Sequence, residues 1–175
     1  MKAIVIGATG AVGQDLVKTL LYDDRYETVT TFTRRPLGFT HPKIESFIVD
    51  FNLPDTWHHL VQGDVLFSAL GTSLKQAGSK EAQYRVDHDY QLSFARAARE
   101  NGVPHMVLVS SVGADSSSRF FYLKLKGLIE KDVEALQFPS LTILRPPSLI
   151  RKHAKRPVET VSVKLLQLAS SLGLC

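Results

Sequence analysis

The sequence predicts an α/β fold with one doubly wound parallel sheet. Two observations lead there. Strand-like and helix-like segments alternate along the chain, and the run Gly7-Ala8-Thr9-Gly10-Ala11-Val12-Gly13 sits between the first strand and the first helix. Alternating elements give parallel strands with helices on both faces. Right-handed crossovers then leave essentially one layout. The length of 175 residues agrees with one domain, since domains run to roughly 150 residues.

Each element has its own signal. Residues 2–6 form a short apolar run, expected to be a buried strand. Residues 11–22 carry Val12, Leu16, Leu20 and Leu21 at helical spacing. Residues 28–33 are rich in Thr and Val and predict a second strand. Residues 44–49 predict a third, residues 55–61 a short helix or turn, and residues 64–70 a fourth strand. Residues 80–101 predict one long helix, closed by Asn101-Gly102 and followed by Pro104. Residues 105–110 predict a fifth strand. Residues 119–136 predict a second long helix, carrying Phe120, Phe121, Leu128, Ile129, Val133 and Leu136. Residues 140–144 predict a sixth strand, and residues 158–172 an amphipathic tail helix. No internal repeat or Ser/Gly linker interrupts the series. The chain therefore reads as a Rossmann domain over residues 1–150 and a tail over residues 151–175.

Composition excludes several classes. Hydrophobic residues make up 44% of the chain and charged residues 22%. No stretch approaches the ~20 apolar residues of a membrane helix, so no membrane partner is expected. Gly7 ends the N-terminal apolar run too early for a signal peptide. The single cysteine, Cys175, excludes an internal disulfide framework and suits a reducing cytosol, so a cytoplasmic protein is expected. The formal charge of +4 suits an anionic small ligand. The basic run at residues 151–156 reads as a solvated surface, with nucleic acid the weaker alternative. Six His residues show no metal spacing, and no metal is expected.

The glycine run points to a dinucleotide. Glycines at 7, 10 and 13 permit a sharp turn, a close backbone approach to a pyrophosphate and tight helix–strand packing. The backbone N–H groups through Thr9, Ala11 and Val12 then face the phosphates. A site for NAD usually carries a carboxylate after the second strand. Here Arg34-Arg35 stand there instead. Arg suits a phosphate through its planar, charged fork, so NADP(H) is the expected cofactor. Asp50-Phe51, after the third strand, are candidates to flank the adenine.

Tyr122 and Lys126 lie four apart on the second long helix and share a face. A phenol titrates near pH 10, and a neighbouring ammonium lowers that value. Such a phenol can pass a proton to a carbonyl oxygen while hydride arrives from a nicotinamide. A serine can hydrogen-bond the same oxygen. Ser110 and Ser111, at the end of the fifth strand, both qualify. Ser111, one step past the strand, is preferred. Asp115 with Ser116, Ser117 and Ser118 is expected to be a mobile loop beside this site.

Several blocks together carry a resemblance. They are Leu70-Gly71-Thr72, Lys75-Gln76-Ala77-Gly78, Val86-Asp87, Asp89-Tyr90, the segment from Ser110 to Asp115, Tyr122-Leu123-x-x-Lys126-Gly127 and Leu144-Arg145-Pro146. The chain resembles the atypical branch of the short-chain dehydrogenase/reductase superfamily. More narrowly it resembles the Tat-interacting oxidoreductase-like family of NADP-binding proteins. The resemblance covers residues 2 to about 150. It implies Gly7, Gly10 and Gly13 at the pyrophosphate, Arg34 and Arg35 at the 2′-phosphate, and Leu70 and Gly71 along the cofactor. It implies Lys126 on the nicotinamide ribose, Tyr122 as catalytic acid, and the backbone near Pro146 and Leu149 beside the carboxamide. Pro147 departs from the family, which often has Gly there. Family members also continue further, so the substrate side is expected to be open, completed by a partner subunit, or absent.

The leading functional expectation is an NADP(H)-dependent oxidoreductase acting on a small carbonyl or alcohol substrate. The alternatives are an NADPH-binding regulatory module and an epimerase or dehydratase of sugar nucleotides. The tail stripe of Val158, Val161, Leu165, Leu166, Leu168, Ala169 and Leu172 is expected to pack over the cleft or into a homodimer.

Overall fold

The computed structural model describes residues 1–147. Six parallel strands form one sheet: β1 (Lys2–Ile6), β2 (Thr28–Thr33), β3 (Ile44–Ile48), β4 (Val65–Ser68), β5 (His105–Val109) and β6 (Ser140–Leu144). Their spatial order is β3-β2-β1-β4-β5-β6. The chain thus winds outward from β1 to one edge, then returns to wind outward to the other. The reversal lies between β1 and β4, where ligands bind in open α/β sheets. Registers such as Ile6↔Phe32 and Ile6↔Ser68 bring the carboxyl ends of these strands level.

Strand side chains alternate between the two faces. Ile4 and Ile6 join Phe32, Leu66 and Leu108 on one face, while Ala3 and Val5 join Val29, Val65 and Val107 on the other. The second face is covered by helix α1 (Ala11–Leu21) through Val17, Leu20 and Leu21. The first is covered by α4 (Tyr90–Glu100) and α5 (Phe121–Glu134). Trp57 stacks on Phe94 with ring centroids 3.9 Å apart. That contact seals the sheet where two 3₁₀ turns, Pro54–Thr56 and His58–Leu60, follow β3.

The expected single helix over residues 80–101 is broken into parts. A short helix α2 (Leu74–Ala77), which the pattern did not suggest, is followed by α3 (Lys80–Tyr84). A π-turn, Arg85–Asp89, then joins α3 to α4. The π-turn widens the backbone ring by one residue and re-aims its side chains. Asp87 and His88 are both buried as a result, and both reach α5. His88 Nε2 lies 2.9 Å from Asp132.

The loop at Asp115 is corrected. Its carboxylate accepts bonds from the Ser117 N–H and hydroxyl at 2.8 and 2.7 Å, and its N–H donates to the Leu123 carbonyl. The backbone of Asp115 and Ser116 presses so closely on α5 that Gly127 has no room for a Cβ. The segment is pinned rather than mobile. The tail at residues 151–175, its apolar stripe and Leu149 lie outside the described residues.

Candidate functional site

The glycine loop is built by close backbone approach. Gly7 has φ +83°, a conformation disfavoured for residues with a Cβ. A Cβ there would strike the Ala69 backbone, and one on Gly13 would strike the Gly7 backbone. The ends of β1 and β4 and the start of α1 can therefore converge. The Gly10 N–H closes the turn on the Gly7 carbonyl at 2.8 Å. No side chain caps α1. Its first-turn N–H groups and the positive end of its dipole are left for an anion.

Two cavities open along this loop and share Leu70. The smaller, of about 40 Å³, is walled by Gly7, Thr9, Thr33, Arg34, Arg35 and Phe51. The Thr33 hydroxyl is buried there without a hydrogen-bond partner. Arg34 and Arg35 are exposed and have no carboxylate partner among the described residues. The Arg34 guanidinium carbon lies 5.9 Å from the Phe51 ring centroid, within cation–π range. An unsatisfied hydroxyl beside two exposed guanidiniums offers hydrogen-bond donors to a polar or anionic group of a bound dinucleotide. Asp50 is corrected. It does not line the cavity, and its carboxylate accepts the Asn52 N–H and side-chain amide at 2.9 and 2.8 Å. Those two bonds hold it below the usual carboxylate range. It shapes a turn, whereas Phe51 reaches the site.

The larger cavity, of about 540 Å³, runs from Gly10, Ala11 and Val12 past Gly71 to Ser110, Tyr122 and Lys126. The predicted Tyr and Lys do share one site. Lys126 is 4% exposed and Tyr122 41%. Of the two serines, Ser111 is the one whose hydroxyl acts on the Tyr122 phenol, favouring its ionised form, while its Oγ donates to the Val112 carbonyl at 3.3 Å. Ser110 Oγ is buried and faces Glu130 without a well-formed bond. Glu130, one turn beyond Lys126, holds Arg145 by two contacts of 3.0 and 2.7 Å. Burial works against its charge, but Arg145 prevails and keeps the carboxyl below its ordinary value. This pair ties β6 to α5 and supports the serine wall. Pro146 is buried, and its carbonyl accepts the Val112 N–H at 3.1 Å.

Asp87 is the residue whose role the motifs did not reveal. It is 1% exposed, and its Oδ1 lies 3.3 Å from Lys126 Nζ. Its Oδ2 accepts the Thr72 N–H at 2.7 Å, which fixes the loop after β4. Burial pushes the Asp87 carboxyl up, against the opposing pull of Lys126 and Thr72. Its sequence signal was only its place in the Val86-Asp87 block. The π-turn that points it at Lys126 leaves no mark in hydrophobic spacing.

Burial corrects the expected chemistry of Tyr122. The phenol is pushed up, not down. Burial is the main cause, the Ser111 bond opposes it, and the negative charge of Asp87 adds to it. The Lys126 ammonium is engaged by Asp87, so its charge does not favour the phenolate. Tyr122 therefore keeps its proton throughout the neutral range.

Comparison with known proteins fits this geometry. Residues 7–167 match the family model described as NAD(P)H-binding. The chain belongs to that family. "Protein FMP52, mitochondrial" of Debaryomyces hansenii is 38% identical over 162 residues, covering 89% of this chain and 70% of that protein. HTATIP2 of Rattus norvegicus is 38% identical over 165 residues, covering 91% and 68%. The solved oxidoreductase ylbE of Lactococcus lactis shares the fold, with TM-score 0.71 at 20% identity, covering 89% and 73%. The chain spans 66–76% of the length of its yeast relatives. The expectation of a cytoplasmic protein is overturned, because relatives from five yeasts carry the mitochondrial name.

Proposed function

We propose that this chain is an NADP(H)-dependent oxidoreductase acting on a small carbonyl or alcohol substrate. The observation that carries the reading is a single cavity with the glycine loop at one end and Ser110, Tyr122 and Lys126 at the other. The loop N–H groups hold the pyrophosphate, and Arg34 and Arg35 hold the 2′-phosphate. Leu70 and Gly71 flank the cofactor, and Lys126, steadied by Asp87, binds the nicotinamide ribose. When bound, NADPH supplies the hydride. Tyr122 donates its phenolic proton to the substrate carbonyl oxygen, and the neighbouring Ser111 hydroxyl eases that transfer by favouring the ionised phenol. A tyrosine that retains its proton suits reduction of a carbonyl. The names of the yeast relatives support a mitochondrial location.

The deciding experiment is NADPH oxidation against a panel of aldehydes, ketones and quinones. Turnover of at least one class is expected. Tight NADPH binding with no turnover across the panel would retire this reading. It would favour a cofactor-binding regulatory module, a reading favoured also by the 41% exposure of Tyr122.

The charge on Asp87 has a titration consequence. The Tyr122 phenol should ionise above the reference value near pH 10, since burial and Asp87 both raise it. Asp87→Asn removes the negative charge and releases the Lys126 ammonium, so the same step should move to lower pH. Ultraviolet titration of each protein against its Tyr122→Phe counterpart isolates that step. A wild-type Tyr122 transition well below pH 10 would contradict the geometry.

A further inference from the structure

The larger cavity carries a charge that the proposed chemistry does not use. Lys126 and Asp87 neutralise each other in its wall, which leaves Lys80, an exposed residue, as the cation there with no carboxylate at ion-pair distance among the described residues. The Lys80 ammonium lies 5.5 Å from the Phe121 ring centroid, and Phe121 immediately precedes Tyr122. Lys80 therefore stands at the Tyr122 end of the cavity, away from the glycine loop. The neighbouring carboxylate, Glu81, is turned back onto the helix start. It accepts its own N–H and the Ser79 hydroxyl, and these bonds, with a smaller contribution from the Lys80 charge, hold it below its ordinary value. Leu74 and Phe121 line the same cavity, and Leu74 is 47% exposed.

We propose that this end of the cavity recognises an anionic group on the substrate, with Lys80 as its counter-charge. The substrate class is then a carbonyl compound that joins a small apolar body to a carboxylate or a phosphate. An ammonium in a concave, partly apolar wall attracts anions more strongly than one on open surface. It also makes charge-assisted bonds with them. The apolar body is met by Leu74 and the Phe121 ring. The carbonyl part of this assignment rests on the oxidoreductase reading, whereas the anion part does not.

The test uses the full chain saturated with NADPH, so that the phosphate contacts of the cofactor are already filled. Benzoate, phenyl phosphate and benzamide are titrated by calorimetry. At least one anion should bind ~10-fold or more tightly than benzamide, the scale of one charge-assisted bond. Preference for only one anion assigns that group. Preference for both assigns charge alone. Lys80→Met should erase the preference, Lys80→Arg should keep it, and neither should alter NADPH affinity. No preference for either anion, including no detectable binding, overturns the proposal. So does a preference that survives Lys80→Met, or a loss of NADPH affinity in that variant. Benzaldehyde and para-carboxybenzaldehyde turnover is measured alongside. Intact anion preference without turnover of either would count against the oxidoreductase reading and leave the anion site standing.

Discussion

Tyr122→Phe retains NADPH binding and loses turnover by ~10²–10⁴-fold, the usual contribution of a positioned general acid. The substitution removes one hydroxyl and keeps the ring, so the cavity wall should survive. It also removes the group on which Ser111 acts. Ser111→Ala should therefore lower the rate by less, because the phenol keeps its proton without that partner. Lys126→Met should behave differently. It leaves Asp87 as an unpaired buried carboxylate and removes the proposed ribose contact, so cofactor affinity should fall along with rate. Steady-state rates paired with calorimetric NADPH affinity separate the three. If Tyr122→Phe turns over as fast as wild type, the phenol is not the acid.

Arg34→Ala lowers NADPH affinity by about 10–100-fold and leaves NADH affinity nearly unchanged. A hydrogen bond to a charged group contributes ~1.5–3 kcal/mol, and ~1.4 kcal/mol is a factor of ten. Both arginines are exposed, which places the effect toward the lower part of that range. Arg34 should matter more than Arg35. Its guanidinium is already held over the Phe51 ring, so less side-chain freedom is lost on binding. If the unsatisfied buried hydroxyl of Thr33 meets the ribose of either cofactor, Thr33→Val should weaken both. Calorimetry with NADPH and NADH reads each case. Equal wild-type affinity for the two cofactors would show that the arginines do not select the phosphate.

The sequence by itself determined the sheet, its winding and the backbone of the glycine loop. Apolar runs such as Lys2–Ile6 and the helical spacing in α1 are local patterns, and right-handed crossovers convert their order into one topology. The close approach at Gly7 and Gly13 and the position of Arg34 and Arg35 beside the loop were equally legible, because they follow from backbone conformation and from order after a strand. Only the tertiary structure decided which charges meet. Asp87 and Lys126 are 39 residues apart, and no periodicity pairs them; a π-turn does. Burial of the Tyr122 phenol, with the Asp87 charge adding to it, raises the value that the sequence predicted to fall. The same limit explains Asp50, whose carboxylate was taken by Asn52, and the serine pair, where only Ser111 meets the phenol. Spacing along the chain reports which face a residue occupies. A pKa depends on the dielectric and on the charges that folding brings within a few ångströms.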